Sequence, residues 1–286
     1  MKKLSNSQVT VVGLGLMGGS LAGALRGHCR AVCGVARRSA SVELALARDL
    51  IDQGATDLAR GVREADVVIL ATPVRVILRQ LAEIGPLLAE GCLLMDLGST
   101  KAHIVAQMAR LPKHVQPLGG HPMCGKETSG IEAADAALYR GCTFILTPLA
   151  RTSDTALALG RALVEAIGAR PLLLDAERQD ALAAAVSHLP YLLACALVNT
   201  ADAATSADPA AWQIVAGSFR DGCRVAASDP TMMTDILLTN REEALKALAV
   251  CQAQLRALAR LVKSGDEDEL RLALSAVRER RKEMFP

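Results

Sequence analysis
The chain has 286 residues, a formal net charge of +2 and 51% hydrophobic residues, which is enough length for two domains with buried cores. Three Phe, two Tyr and one Trp, with no basic run interleaved among them, leave few stacking platforms and argue against nucleic-acid binding. The eight cysteines form no CxxC pair and no Cys/His cluster of zinc spacing, so reduced, buried thiols in a cytoplasmic protein and no metal site are expected.

The opening Met1-Lys2-Lys3-Leu4-Ser5-Asn6-Ser7 runs straight into a β-branched apolar strand at 8–12, which predicts no secretory leader. The strand leads into Gly13-Leu14-Gly15-Leu16-Met17-Gly18-Gly19-Ser20, a GxGxxG loop that opens a helix from about 18 to 26. In such a loop Gly13 permits the tight turn, Gly15 lets the backbone approach a pyrophosphate, and Gly18 lets the helix pack closely on the strand. Leu16 and Met17 lie between them, where the first N–H groups of the helix face the phosphates. The expected ligand is therefore a dinucleotide.

Further strands are expected at 30–36, 66–71, 92–96, 116–119, 142–147 and 170–174, with helices at 39–52, 74–89 and 100–110 between several of them. This alternation predicts an α/β fold, a parallel sheet with helices on both faces. NAD-specific folds usually place an acid after the second strand, but here the position is Ala36, followed by Arg37, Arg38 and Ser39. Two guanidinium groups and a hydroxyl suit a 2′-phosphate, so NADP is expected ahead of NAD; a solvated helix start is the plainer alternative. Thr72 and Pro73 close the strand at 66–71, at the carboxyl edge where the cofactor lies in such folds. Ser99 follows the strand at 92–96 and fits either a place beside the nicotinamide or a helix N-cap, while Asp96 reads as structural. Gly119-Gly120-His121-Pro122-Met123-Cys124-Gly125-Lys126-Glu127 reads as a glycine-flanked turn carrying a titratable group where hydride chemistry needs one.

After Asp175 the pattern becomes all-α. An Ala/Leu-rich stretch at 177–204, interrupted only by Pro190, precedes helices at 209–227, 230–263 and 266–282. The expected organisation is an N-terminal Rossmann-type dinucleotide-binding domain, 1–175, and a C-terminal all-α substrate and dimerisation domain, 176–286, that buries its long helices against a twin. No apolar stretch reaches membrane-spanning length without a charge or a breaker, so no membrane partner is expected. Arg224 reads either as a surface arginine or, set among Gly222, Cys223, Val225, Ala226 and Ala227, as a charge that needs an anionic partner. His188, two residues before Pro190, suits either a core histidine or a ligand contact; His28, His103 and His114 read as surface residues.

The chain resembles the prephenate/arogenate dehydrogenase family of tyrosine biosynthesis over nearly its whole length. The resemblance rests on the run from Gly13, on Asp96-Leu-Gly-Ser-Thr-Lys101, on Gly-Gly-His-Pro-Met-Cys-Gly from Gly119 and on Ser187-His-Leu-Pro-Tyr191. It continues in Phe219-Arg-Asp-Gly-Cys-Arg224, Ser228-Asp-Pro-Thr-Met-Met-Thr-Asp-Ile236 and Asn240. The chain departs from the family pattern at Cys223, where Thr is common, and at Met233, where an aromatic residue is common.

The family's substrate is a cyclohexadienol, arogenate or prephenate, with a ring carboxylate and a C4 hydroxyl. Hydride leaves C4, the hydroxyl loses its proton and CO₂ departs as the ring becomes aromatic. The resemblance implies that His121 accepts the proton and that Ser99 orients the hydroxyl or the imidazole. It also implies that Arg224 clamps the ring carboxylate, that His188 lies near the substrate, and that Glu127 and Asp221 line the mouth. Two rival readings stand beside it. β-Hydroxyacid dehydrogenases share the two-domain plan but carry a lysine in the first long helix of the second domain, and 183–197 has none. A noncatalytic NADP(H) redox sensor would keep the loop and need neither His121 nor Arg224.

Overall fold
The computed structural model describes residues 2–206 and 208–285. These divide into two compact units, 1–241 and 242–286. Position 175, where the helical half of the sequence begins, lies inside the first unit, in which α7 (Ala176–Ala183) packs on α5 (Ala102–Met108) and α10 (Pro230–Thr239) on α4 (Val74–Ile84).

The first unit is built on eight strands: β1 (Gln8–Val12), β2 (Ala31–Val35), β3 (Gln53–Ala55), β4 (Val67–Leu70), β5 (Leu93–Asp96), β6 (Gln116–Pro122), β7 (Thr143–Pro148) and β8 (Arg170–Leu173). They form one sheet in the order β3-β2-β1-β4-β5-β6-β7-β8. The sheet is mixed rather than wholly parallel, since β6 and β7 run antiparallel, with His121 opposite Ile145. Residues alternate between its faces as the two-residue period requires. Val9, Val11, Val67 and Ile69 join the core under α1 (Leu16–Leu25) and α6 (Asp154–Ala166). Val12, Val68 and Leu70 join the core under α3 (Leu58–Val62), α4 (Val74–Ile84) and α5 (Ala102–Met108). The chain leaves β1 for β2 on one side, and β4 pairs with β1 on the other, so the strand order reverses at the carboxyl end of β1. Such a crevice is where doubly wound sheets bind nucleotides. The remaining helix of this half, α2 (Ser39–Ala47), is shorter than expected: Asp49, with φ 57°, ends it and turns the chain into β3.

Three helical expectations change. Pro190 does not interrupt its helix. It occupies the first turn of α8 (Leu189–Thr205), where its missing N–H costs least, and a π-helical turn at Ala184–His188 joins α8 to α7 (Ala176–Ala183). The resulting run Ala176–Thr205 is long and apolar enough to cross a membrane by length and composition, though it still carries that proline. The expected helix at 209–227 is broken into a 3₁₀ turn, α9 (Gly217–Cys223) and a second 3₁₀ turn. The expected helix at 230–263 is split at Asn240 into α10 (Pro230–Thr239) and α11 (Arg241–Ser264).

The second unit comprises most of α11 together with α12 (Glu267–Met284). Leu255, Val262, Leu272 and Val277 are exposed on these two helices. All eight cysteines are free, but only Cys33 and Cys92 are buried; the other six are partly exposed.

Candidate active site
The glycine loop has the shape its sequence predicts. Gly13 takes φ +103°, and a Cβ there would meet the Ala71 carbonyl at 2.8 Å. A Cβ on Gly18 would stand 1.8 Å from the Gly13 carbonyl oxygen, so the start of α1 lies against the turn. Gly15 differs from both: a Cβ there would meet nothing within 4 Å. No protein contact demands glycine at Gly15, whereas a phosphate group approaching the backbone would. Arg37, Arg38 and Ser39 are exposed immediately after β2, and Ala36 is half-buried. Thr72 lies against Gly13 and donates its hydroxyl to Gln80 Oε1 at 2.7 Å, with Pro73 exposed beside it at the N-cap of α4. These surroundings fit a dinucleotide phosphate.

His121 lies in a strand and not in a turn, because β6 continues to Pro122. Its glycines serve close packing and have no positive φ. A Cβ on Gly120 would stand 2.4 Å from the Asp96 carbonyl oxygen. Pairing with β5 ends at Leu118, and Asp96 then takes over: its carboxylate accepts from the N–H of Gly120 at 3.0 Å and of Gly98 at 2.7 Å. The fully buried Asp96 also pairs with the fully buried Lys101. Burial drives the Asp96 carboxyl up and the Lys101 ammonium down, each opposed by the partner's charge.

The His121 imidazole is 8% exposed, with Nδ1 2.9 Å from Gln179 Oε1. Burial, helped by the nearby Lys101 charge, lowers its pKa to about 3, against a raising contribution from the Gln179 hydrogen bond. His188 closes the π turn, is 1% exposed, and has its pKa lowered to about 4 by burial. Its Nδ1 lies 3.3 Å from Asn240 Nδ2. Gln179 and Asp180, which no sequence pattern singles out, and Asn240, which only the resemblance marks, are all buried here.

Both rings are therefore neutral at pH 7, which has a consequence for stability. Below about pH 6.5 an unfolded imidazole takes a proton that the folded one refuses. The stability contributed by these rings is full above pH 6.5 and is lost as the pH falls toward 4 and 3. The His121→Asn/His188→Gln double variant should lose up to about 2.7 kcal/mol per pH unit of wild-type slope between pH 6 and 4. Urea unfolding across that range checks it, and parallel profiles would refute it.

Ser99 is half-buried and caps nothing. The Asp180 carboxylate satisfies the first N–H groups of α5, accepting from Lys101 N at 2.7 Å and Ala102 N at 2.8 Å. The Ser99 carbonyl receives Gln179 Nε2 at 3.5 Å, which places Ser99 beside the His121 cluster. Arg224 is a surface arginine with an anionic partner. Its side chain is 63% exposed at the end of α9 and pairs with the carboxylate of Glu127, 41% exposed. Asp221 is exposed one turn earlier on α9. His28 and His103 are exposed, whereas His114 is half-buried with Nε2 3.2 Å from the Leu88 carbonyl. Among the described residues no His, Cys, Asp and Glu group could hold a metal ion.

A family model described as the nucleotide-binding domain of prephenate dehydrogenase matches residues 21–173, and one described as its dimerization domain matches residues 175–276. Prephenate dehydrogenase of Bacillus subtilis is 35% identical over 243 residues, which cover 83% of this chain and 65% of that protein, slightly under two thirds of its length. Cyclohexadienyl dehydrogenase of Zymomonas mobilis is 36% identical over 267 residues, 92% of this chain and 90% of that protein. The crystal structure of Aquifex aeolicus prephenate dehydrogenase in complex with hydroxyphenyl propionate and NAD⁺ superposes with a TM-score of 0.91 at 33% identity, over 99% of this chain and 100% of that one. Synechocystis arogenate dehydrogenase superposes at 0.84 with 31% identity, over 97% and 99%. A 3-hydroxyisobutyrate dehydrogenase of Mycobacterium tuberculosis, at 18% identity and a TM-score of 0.58, shares the fold alone.

Proposed function
The chain belongs to the prephenate dehydrogenase family, and on that premise we propose that it catalyses the NADP-dependent oxidative decarboxylation of arogenate, prephenate or both, to tyrosine or 4-hydroxyphenylpyruvate. The observation that carries this reading is His121: a buried, neutral imidazole braced at Nδ1, on the same sheet as a glycine loop open to phosphate. A noncatalytic sensor of NADP(H) has no use for such a group.

Gly13, Gly15, Leu16, Met17 and Gly18 would hold the pyrophosphate, with Thr72 and Pro73 flanking it, and a bound nicotinamide would supply the acceptor for the hydride of ring C4. His121 accepts the C4 hydroxyl proton, and Ser99 orients that hydroxyl or the imidazole. Arg224 exchanges Glu127 for the ring carboxylate, which it can meet with two parallel hydrogen bonds. His188 contacts the substrate from the π turn, and Glu127 and Asp221 line the mouth. We assign residues 1–175 to cofactor binding and 176–286 to substrate binding and to a homodimer, for which the exposed apolar side chains of α11 and α12 are the support. The proposed location is the cytoplasm.

Arg37, Arg38 and Ser39 favour NADP⁺ over NAD⁺, since Ala36 presents no carboxylate to repel a 2′-phosphate. Replacing both arginines with alanine should raise the KM for NADP⁺ much more than that for NAD⁺, and equal or better use of NAD⁺ by the wild type would refute the preference. Steady-state kinetics with prephenate, arogenate and a β-hydroxyacid, each against both cofactors, test the function. Turnover with a cyclohexadienol and none with the β-hydroxyacid is expected; the reverse would assign the chain to the β-hydroxyacid class.

A further inference from the structure
Two buried amides face the two buried histidines, and each amide has its orientation fixed from behind. Gln179 Nε2 is surrounded by acceptors, the Asp180 carboxylate at 2.8 Å and the Ser99 carbonyl at 3.5 Å. Its NH₂ is committed there, so the atom 2.9 Å from His121 Nδ1 is the amide oxygen. An amide oxygen only accepts, so His121 carries its hydrogen on Nδ1. A neutral imidazole has a single N–H, which leaves the lone pair on Nε2.

Asn240 works in the opposite sense. Its Nδ2 donates to the Asp180 main-chain carbonyl at 2.8 Å, so this end of the amide is the NH₂. The second hydrogen faces His188 Nδ1 at 3.3 Å, which must accept it, and the His188 hydrogen is then on Nε2. Both amides are anchored on Asp180, through its carboxylate and its carbonyl. The carboxylate is itself held by the N–H groups of Lys101 and Ala102.

We propose that Gln179 and Asn240, both anchored on Asp180, are positioning residues that hold the two imidazoles in opposite tautomers, so that His121 offers an acceptor at Nε2 and His188 offers a donor at Nε2. The division of labour rests on the function proposed above: one ring takes the hydroxyl proton, and the other donates a hydrogen bond to a substrate oxygen. The tautomers themselves are independent of that reading. The arrangement also accounts for the break between α10 and α11, because Asn240 leaves the helical path at the point where its amide enters the core.

The test is the side-chain ¹H–¹⁵N long-range NMR spectrum of the ligand-free protein at pH 7, with ¹⁵N-labelled histidine. It should show His121 protonated at Nδ1 and His188 at Nε2. Gln179→Leu should scramble the first and lower kcat about 10- to 100-fold, the scale seen for partners that orient a working histidine, with the cofactor KM unchanged. Gln179→Glu keeps an acceptor and should keep the tautomer. Its carboxylate, set against Lys101 and His188 around the ring, should move the acid limb of the pH profile upward. Asn240→Asp should shift the His188 hydrogen to Nδ1 and raise the substrate KM more than it lowers kcat. Both rings in one tautomer in the wild type would overturn the proposal, as would tautomers unchanged in Gln179→Leu and Asn240→Asp. The stated tautomers without turnover on either cyclohexadienol would uphold the positioning and refute the function.

Discussion
His121→Asn is expected to fold, to bind cofactor with its normal affinity and to lower kcat about 10²-fold or more, the usual scale for a positioned general base. The fold should survive because the strand pairing of β6 with β7 is made by the backbone, and asparagine fits beside Gln179. Catalysis should not survive, because an amide cannot take up a proton. The wild-type kcat/KM should fall on the acid side as the imidazole protonates, with the limb at or below pH 6.5, since burial and the Lys101 charge disfavour the imidazolium. Near-normal turnover of His121→Asn, or a limb well above 6.5, would place the base elsewhere.

Arg224→Ala is expected to raise the substrate KM about 10- to 100-fold, the range for losing a hydrogen bond to a charged group. The cofactor KM should change little. Stability should fall by less than about 1 kcal/mol, since the pair with Glu127 is an exposed one. Arg224→Lys should rescue only in part, because an ammonium lacks the planar fork that meets both carboxylate oxygens. Fluorescence titration with NADPH separates the possibilities. If Arg224→Ala weakens NADPH binding as much as it weakens substrate use, the guanidinium serves the cofactor or the fold.

The sequence is most legible where one local pattern determines one local structure. Val-Thr-Val-Val before Gly13 can hardly be other than a buried strand leading into a turn, and the glycine spacing carries its own steric reason. It is less legible where tertiary contacts override local composition. Gly119-Gly120-His121-Pro122 has the composition of a turn, but those glycines let a strand pass close to Asp96 and Thr147. Pro190 looks like a helix breaker, yet the π turn before it keeps the axis continuous and brings His188 inside.

The residues missed at the site are an amide and a carboxylate. Gln179 and Asp180 sit in Ala176-Glu-Arg-Gln-Asp-Ala-Leu-Ala183, which reads as an ordinary polar helix start. Only their burial, at 0% and 3% exposure, separates them from a solvated face, and nothing in the local sequence signals it. For Arg224 the small apolar neighbours leave exposure open; they lie on a short helix and a 3₁₀ turn that put the guanidinium in solvent beside Glu127.

The central claim is that hydride leaves ring C4 as CO₂ departs and the ring becomes aromatic. It is tested most directly with a cyclohexadienol substrate carrying deuterium at C4, incubated with the protein and oxidised cofactor. The account predicts that the deuterium is recovered in the reduced nicotinamide, with one CO₂ and one aromatic product for each cofactor reduced. Deuterium released to solvent, or cofactor reduced without matching CO₂, would contradict it.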